Sequence, residues 1–240
     1  MMRLSATDFP EKNRVEAVRE IFGKSIIRVN LEPTPGDPFR FDAMLYALPG
    51  LKIAVGDLSP VRGTLTKELI ESDDLLFNIT LSGGRTLHQR GREAAVRPGE
   101  AGLTTSIYPG VVEVHLPSRF ISFRIPRNTL QPMIGDLDGC LLRTIPRHTG
   151  ALRLLTGYAS LFEENEAVIG ADMGGLVATH IHDLIALTLG ASRDATETAR
   201  GRGVRAARLR AIKSDILENL RAPICRSTRS RRGTASRLVT

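Results

Sequence analysis

Residues 102–125 read GLTTSIYPGVVEVHLPSRFISFRI, and this stretch decides the fold. Two short turn segments, around Pro109 and Pro117, divide it into three runs rich in Val, Ile, Phe and Thr. Strand-length runs at this close spacing predict an antiparallel sandwich or barrel. Residues 119–124 also alternate between polar and apolar, as a strand with one buried face does.

The same texture continues upstream as far as Ser25, with turn segments rich in Pro, Gly and Asp between the runs. The runs predict eight strands in all, near 26–31, 40–47, 51–58, 75–82, 85–90, 102–107, 111–115 and 119–125. Before them, residues 11–22 place apolar side chains at helical spacing, and Gly23 is expected to end that helix.

After Pro126 the pattern becomes helical, and the sequence predicts helices over 151–165 and 172–189. Residues 191–203 are polar and rich in glycine, which is typical of a linker. A last amphipathic helix is expected over 204–220. The expected fold class is therefore α+β. A segment 1–24 precedes a barrel over 25–127, and a helical subdomain over 128–190 follows it.

The positive charge of the chain is concentrated at one end. The 240 residues include 33 basic and 26 acidic side chains, for a net charge of +7. Residues 221–240 contain six arginines and no Lys, Asp or Glu, which leaves +1 for residues 1–220. A high positive charge is typical of proteins that bind nucleic acids, but here the excess charge lies only in the tail 221–240. We expect this tail to be disordered.

Composition excludes several protein classes. Apolar runs are too short for a membrane helix, and the first residues lack the apolar core of a secretory signal. Two cysteines, Cys140 and Cys225, are too few for a disulfide framework or a metal knuckle. We therefore expect a cytoplasmic protein without a membrane partner.

Few residues are candidates for catalysis, so we do not expect this chain to be an enzyme. We also expect no cofactor, no metal and no catalytic site. His88 and His115 each stand alone on a predicted strand. His180 and His182 lie two apart in a helical pattern, where side chains do not face each other. The pairs Asp73-Asp74 and Asp136/Asp138 are typical of turns, and Cys140 of a small buried apolar residue.

From Ala222 onward a shifted reading frame carries a second pattern. Because the first two bases of most codons follow from the amino acid, the third base of each codon can be joined to the first two of the next. With G/C-rich third positions this frame gives ADLSVDAVAARHRVSPRY, an amphipathic helical string. The sequence therefore predicts a frameshift after about residue 220.

That string resembles the first helix-turn-helix of AraC/XylS-type transcription regulators, and residues 208–220 resemble the opening helix of their DNA-binding domain. Upstream, the chain is similar to the family's cupin-like sensor domain, the AraC-binding-like domain. The similar segments are Asp73–Phe77, Leu81–Gly84, Gln89–Glu93, Arg97–Glu100 and Arg119–Arg127. Together the resemblance covers about residues 10–220.

The resemblance implies a cytoplasmic regulator whose barrel senses a small-molecule effector and whose helices form dimers. In full-length relatives, two helix-turn-helix units enter the major groove of DNA. Here residues 204–220 would be a remnant first helix, so we expect no sequence-specific DNA binding. The expected protein partner is a second copy or a full-length homologue.

Two expectations about sites follow. The effector is expected in the barrel interior, at residues that the sequence does not identify. The dimer contact is expected on helix 172–189, at Leu176, Ile181, Leu184 and Leu187, although these side chains could equally cover the barrel. The alternative is a small-molecule-binding cupin-like protein or a metal-dependent enzyme without a DNA role.

Overall fold

A computed structural model describes residues 1–36, 38–164, 173–191 and Gly201. The chain divides into two units, Met1–Arg200 and Gly201–Thr240, and nearly all the described residues belong to the first. Most of the predicted linker, the predicted helix 204–220 and the tail 221–240 lie outside the described residues. The account below concerns the first unit.

The described residues form two antiparallel sheets that face each other. The first sheet has six strands in the order β1-β3-β4-β11-β6-β9, and the second has five in the order β2-β5-β10-β7-β8. The strands are β1 Met2–Ser5, β2 Asn30–Pro33, β3 Phe41–Leu48, β4 Leu51–Leu58, β5 Val61–Leu65, β6 Leu75–Thr80, β7 Arg85–Gln89, β8 Arg92–Val96, β9 Ala101–Thr105, β10 Gly110–Val114 and β11 Ser118–Ile125.

Three of these strands are absent from the sequence prediction. β1 has four residues, too few for a visible alternation, yet it pairs with β3 and so makes the first residues part of a sheet. β5 contains Gly63, and β8 reads REAAV, in which Val96 is the one residue of a type typical of strands. The run near 26–31 forms a strand only from Asn30.

Four α-helices accompany the sheets: α1 Arg14–Ser25, α2 Arg127–Leu130, α3 Gly150–Glu164 and α4 Gly174–Leu189. Gly23 does not end α1, because the helix continues to Ser25. A Cβ at Gly23 would stand 3.0 Å from Cγ of Arg28, so this glycine permits a close approach by the chain that leaves the helix. None of the described helices is both long and apolar enough to cross a membrane.

The two faces of the six-stranded sheet have different neighbours. Alternate side chains point to opposite faces of a strand. On β11, Ile121, Phe123 and Ile125 join an apolar cluster with the buried stripes of α3 and α4. Phe120 joins a second cluster with Phe41 of β3 and Val18 of α1. The fold is thus α+β, as the sequence predicts. It is a mostly β sandwich in which α3 and α4 cover the outer face of the six-stranded sheet.

Candidate functional site

A cavity of about 120 Å³ lies between the two sheets. We call it the inter-sheet cavity. Its wall is mostly aliphatic and aromatic, and includes Phe41, Leu58, Val61, Leu65, Leu76 and Leu87. An apolar concave space with a few polar groups is the form that small-molecule sites commonly take.

Arg85 is the charged side chain of interest in this wall. It is the first residue of β7, where Arg85, Leu87 and Gln89 share the buried face of the strand. Only 7% of Arg85 is exposed, and burial lowers the pKa of its guanidinium to about 10. The side chain therefore remains a cation at neutral pH, inside an apolar wall.

The guanidinium of Arg85 has two nitrogens, Nε and Nη2, that are buried without a hydrogen-bond partner among the described residues. We call these two atoms the Arg85 edge. The positive charge does contact one side chain, since its central carbon lies 5.5 Å from the ring centroid of Phe120. A cation–π contact of this kind offsets only part of the cost of burying a charge.

Gln89 lies on the same face of β7, beyond Leu87, and both its side-chain nitrogen and its side-chain oxygen are hydrogen-bonded. Its Nε2 donates to the carbonyl oxygens of Thr105, at 2.7 Å, and Tyr108, at 2.8 Å. Its Oε1 accepts from the backbone N–H of Thr105 at 3.2 Å. Gln89 therefore fastens β7 to β9 and to the chain that follows it, and has little hydrogen-bonding capacity left for a ligand.

Two further polar side chains in the wall bind each other. The hydroxyl of Ser122, on β11, donates to Oδ1 of Asn78, on β6, at 2.6 Å. The amide of Asn78 donates to the carbonyl of Leu76 at 3.4 Å. Among the described cavity-lining residues, Arg85 is thus the one whose side chain keeps buried donors without a partner.

Arg85 is not among the site residues that the sequence predicts. The signal was present, because residues 85–89 alternate between buried and half-buried faces and Arg85 falls on the face of Leu87. A charged residue on the apolar face of a predicted strand is unusual.

Four of the five histidines contact a nearby side chain or a backbone carbonyl. His88 Nε2 lies 3.3 Å from Glu113, and His115 Nε2 lies 3.2 Å from the hydroxyl of Thr86. His180 packs against Tyr158, whereas His182 contacts the carbonyl of Gly50 at 3.2 Å. Within the part of the chain that the structure describes, no three His, Cys, Asp or Glu side chains form a group that could hold a metal.

The acidic pairs have structural contacts. Oδ1 of Asp136 accepts from the backbone N–H of Gly139 at 2.9 Å, which is the turn geometry that the sequence predicts. The carboxylate of Asp74 does something else, because it accepts from Nε of Arg124 at 2.5 Å. The prediction of turn chemistry for Asp74 therefore misses an ion pair that joins the residue before β6 to β11.

Cys140 is buried, and burial raises the pKa of its thiol. Its S–H donates to the carbonyl of Asp136 at 3.3 Å. A thiol with a raised pKa is a poor nucleophile at neutral pH. The side chain behaves as a small buried group, whereas Cys225 lies outside the described residues.

The four dimer candidates on α4 differ in exposure. Leu176 is 39% exposed, and Leu184 and Leu187 are half-buried. Ile181 is 0% exposed, because it packs in the cluster between α4 and the six-stranded sheet. Ile181 is therefore removed from the candidates for a dimer contact.

Comparisons with known proteins agree with this architecture. The AraC-like transcriptional activator CuxR is similar over 80% of this chain and 70% of its own, at 17% identity and a TM-score of 0.67. The Cupin_2 domain of an XRE family transcriptional regulator from Enterobacter cloacae matches 41% of this chain and 98% of its own, at 17% identity and a TM-score of 0.29. No curated protein matches the chain.

At 17% identity the likeness to CuxR concerns the fold alone, and the second likeness is too low to carry an argument. The family itself is established by sequence, since the model of the AraC-binding-like domain matches residues 18–190. This match spans ten of the eleven described strands and all four described α-helices except the first turn of α1. The chain therefore belongs to the family of AraC-binding-like domains.

Proposed function

We propose that this chain is the effector-sensing part of an AraC/XylS-type transcription regulator, and that the effector binds in the inter-sheet cavity. The observation that carries the proposal is the Arg85 edge, a buried donor pair on a side chain that lines an apolar cavity of about 120 Å³. Groups buried without partners cost free energy, and functional sites are where such a cost is commonly kept. Membership of the AraC-binding-like family supports the same function.

The chain contains no tryptophan, which allows a direct test. Phe22 of α1 lines the cavity, so Phe22→Trp provides a single fluorescent reporter there. Tyr158, on α3 beside His180, gives a matched reporter away from the cavity as Tyr158→Trp. Both variants are titrated with sugars, amino acids, amines, and small organic acids with their amides.

We expect one compound class to change the emission of Phe22→Trp in a saturable way and to raise the melting temperature. The emission of Tyr158→Trp should stay constant over the same titration. Saturation at Tyr158→Trp alone would place the ligand elsewhere. No saturable response to any compound would contradict the sensor function.

We propose a regulatory rather than a catalytic role for the chain, without a resident metal. Metal analysis of the purified protein tests this part. Zn, Fe or Mn at one equivalent per chain would favour the alternative of a cupin-like enzyme.

A second copy is the proposed partner, with a full-length homologue as the related possibility. The exposure of Leu176 on α4 and of Leu154 on α3, at 39% and 67%, supports a contact on this helix pair. Leu176→Glu should turn a dimer into a monomer in light scattering. A wild-type chain that is monomeric at all concentrations would contradict the proposal.

Sequence-specific DNA binding is proposed to be absent from this chain. The support is the arginine content of residues 221–240 and the helix-turn-helix string in the shifted frame. Arginines that no helix presents to base edges give only phosphate attraction. The nucleotide sequence beyond codon 221 should continue the helix-turn-helix domain in another frame, and a lack of such coding potential would contradict the frameshift.

A further inference from the structure

We propose that the inter-sheet cavity takes a small organic carboxylate, with its carboxylate on the Arg85 edge and its apolar part among the phenylalanine rings. The inference rests on the proposed sensor function and specifies the chemical class of the effector.

The shape of the Arg85 edge selects a carboxylate. The N–H groups of Nε and Nη2 project in parallel from one side of the planar guanidinium, and their spacing matches the two oxygens of a carboxylate. The same protein contains this pairing at its surface. Arg3 donates from Nε to one oxygen of Asp42 at 3.1 Å and from Nη2 to the other at 2.5 Å. Arg85 carries the same two nitrogens, buried and without a partner among the described residues, on a side chain that lines the cavity.

The charge around Arg85 selects a single negative charge. Among the described cavity-lining residues there is no Asp or Glu. His88 lines the cavity, but its ring contacts Glu113 at 3.3 Å. One carboxylate would neutralise the one buried cation. A doubly charged phosphate would leave a surplus charge in an apolar wall, which is costly.

The rings beside Arg85 favour an apolar body on the acid. The guanidinium lies over Phe120, whose centroid is 6.2 Å from that of Phe41. Phe41 in turn lies 5.4 Å from Phe22 of α1 in an edge-to-face contact. This row of rings leads from the buried charge to the helix, so an alkyl or aryl group attached to the carboxylate would be covered by apolar surface.

The test compares each acid with its uncharged amide on the full chain. Calorimetry and thermal unfolding are measured with hexanoate against hexanamide, and with benzoate against benzamide. Inorganic phosphate is included as a dianion without an apolar body. We expect each acid to bind at least tenfold more tightly than its amide, since the amide lacks the charge-assisted pair. Phosphate should give no saturable heat.

Three variants assign the effect to Arg85. Arg85→Met keeps the length of the side chain and should remove the preference for the acid. Arg85→Lys keeps the charge but not the paired edge, and should retain part of it. Arg62→Met is the matched control, because Arg62 is the exposed residue of β5 that pairs with Glu113 and its loss removes the same charge. Acid binding by Arg62→Met should equal that of the wild type.

Arg85→Met should also raise the melting temperature of the ligand-free protein, because a buried cation without a full partner is removed. A purely structural Arg85 would give the opposite sign. A fall in the melting temperature together with unchanged acid binding would therefore overturn the inference.

The remaining outcomes separate this inference from the sensor function. Equal binding of acid and amide, or an Arg85→Met variant that still prefers the acid, would overturn the carboxylate class and leave the sensor function standing. Binding of phosphate as tight as that of hexanoate would overturn the apolar body. If neither the acids nor the amides bind, the carboxylate inference fails, and the wider reporter titration decides the sensor function.

Discussion

Arg85 and Arg124 are two arginines of the same sandwich with opposite surroundings. Arg124 donates to Asp74, to the carbonyl of Ile26 at 3.1 Å and to the hydroxyl of Ser72 at 3.2 Å. Arg85 has a ring beside it and a donor edge without a partner among the described residues. An arginine whose buried donors are paired stabilises the fold. One whose buried donors lack a partner lowers the stability.

The Arg124 contacts predict a clear loss of stability for Arg124→Met. The side chains of Arg124 and Asp74 are only 20% and 16% exposed, so the variant would leave a mostly buried carboxylate without its cation. We expect the free energy of unfolding to fall by about 2 kcal/mol or more. Urea denaturation measures it.

The exposed pair of Arg62 with Glu113 provides the comparison. Arg62→Met should change the free energy of unfolding by no more than about 1 kcal/mol, because exposed pairs are screened by water. Equal losses in the two variants would contradict the distinction between the two pairs.

His182 predicts how stability depends on pH. Burial lowers the pKa of this histidine, while the carbonyl of Gly50 and the charge of Asp183 partly oppose the shift. The folded protein therefore binds the proton less readily than the unfolded chain does. This contribution to stability is complete above about pH 6.5 and is lost as the pH falls through the lower folded-state value.

His182→Gln keeps a donor for the carbonyl of Gly50 but cannot take up a proton. Between pH 7.5 and pH 5.0 the wild type should lose about 1 kcal/mol more stability than this variant. Thermal unfolding at both pH values measures the difference. Parallel losses in the two proteins would assign the pH dependence to other groups.

Substitution by alanine is expected to have opposite effects on stability at two glycines, one in a strand and one in a helix. A Cβ at Gly56, in β4, would stand 2.1 Å from the carbonyl oxygen of Asp42 and 2.5 Å from Cα of Ala43 in the neighbouring strand β3. Both atoms are backbone, so the strands would have to move apart. Gly56→Ala should lower the free energy of unfolding by about 3 kcal/mol.

Gly157 is the control for that substitution. It is exposed within α3, and nothing lies within 4 Å of the Cβ that an alanine would add. Gly157→Ala should raise the free energy of unfolding by up to about 1 kcal/mol, because alanine favours a helix. Denaturation curves of the two variants should therefore shift in opposite directions. A stable Gly56→Ala variant would contradict the close approach of β3 and β4.

The sequence was sufficient to predict the elements in which the pattern of polar and apolar residues extends over many positions. The alternation of β11 and the apolar stripes of α3 and α4 come from local residue order, and the prediction of these elements is correct to within two residues at either end. β5 and β8 could not be predicted, because their pairing with β10 and β7 is what makes them strands. The Arg85 edge has the same origin, since neighbours distant in sequence decide whether a donor finds a partner.

The charge is divided unevenly along the chain. Residues 1–191 contain 20 Lys and Arg against 22 Asp and Glu, whereas residues 192–240 contain 13 against 4. The unit that holds the described sheets is thus nearly neutral. The +9 of residues 192–240 is the part of the sequence that attracts phosphate.

This distribution of charge predicts how the full chain binds DNA. It should bind duplexes of unrelated sequence with similar affinity, and the affinity should fall steeply as salt rises, because binding to phosphates releases counterions. A chain ended after residue 191 should lose this binding yet keep its melting temperature, since the described apolar clusters lie within residues 1–191. Fluorescence anisotropy with several duplexes at two salt concentrations measures the first property, and calorimetry the second. A preference of more than tenfold for one duplex would contradict the proposal that specific binding is absent, because charge without base contacts cannot discriminate between sequences.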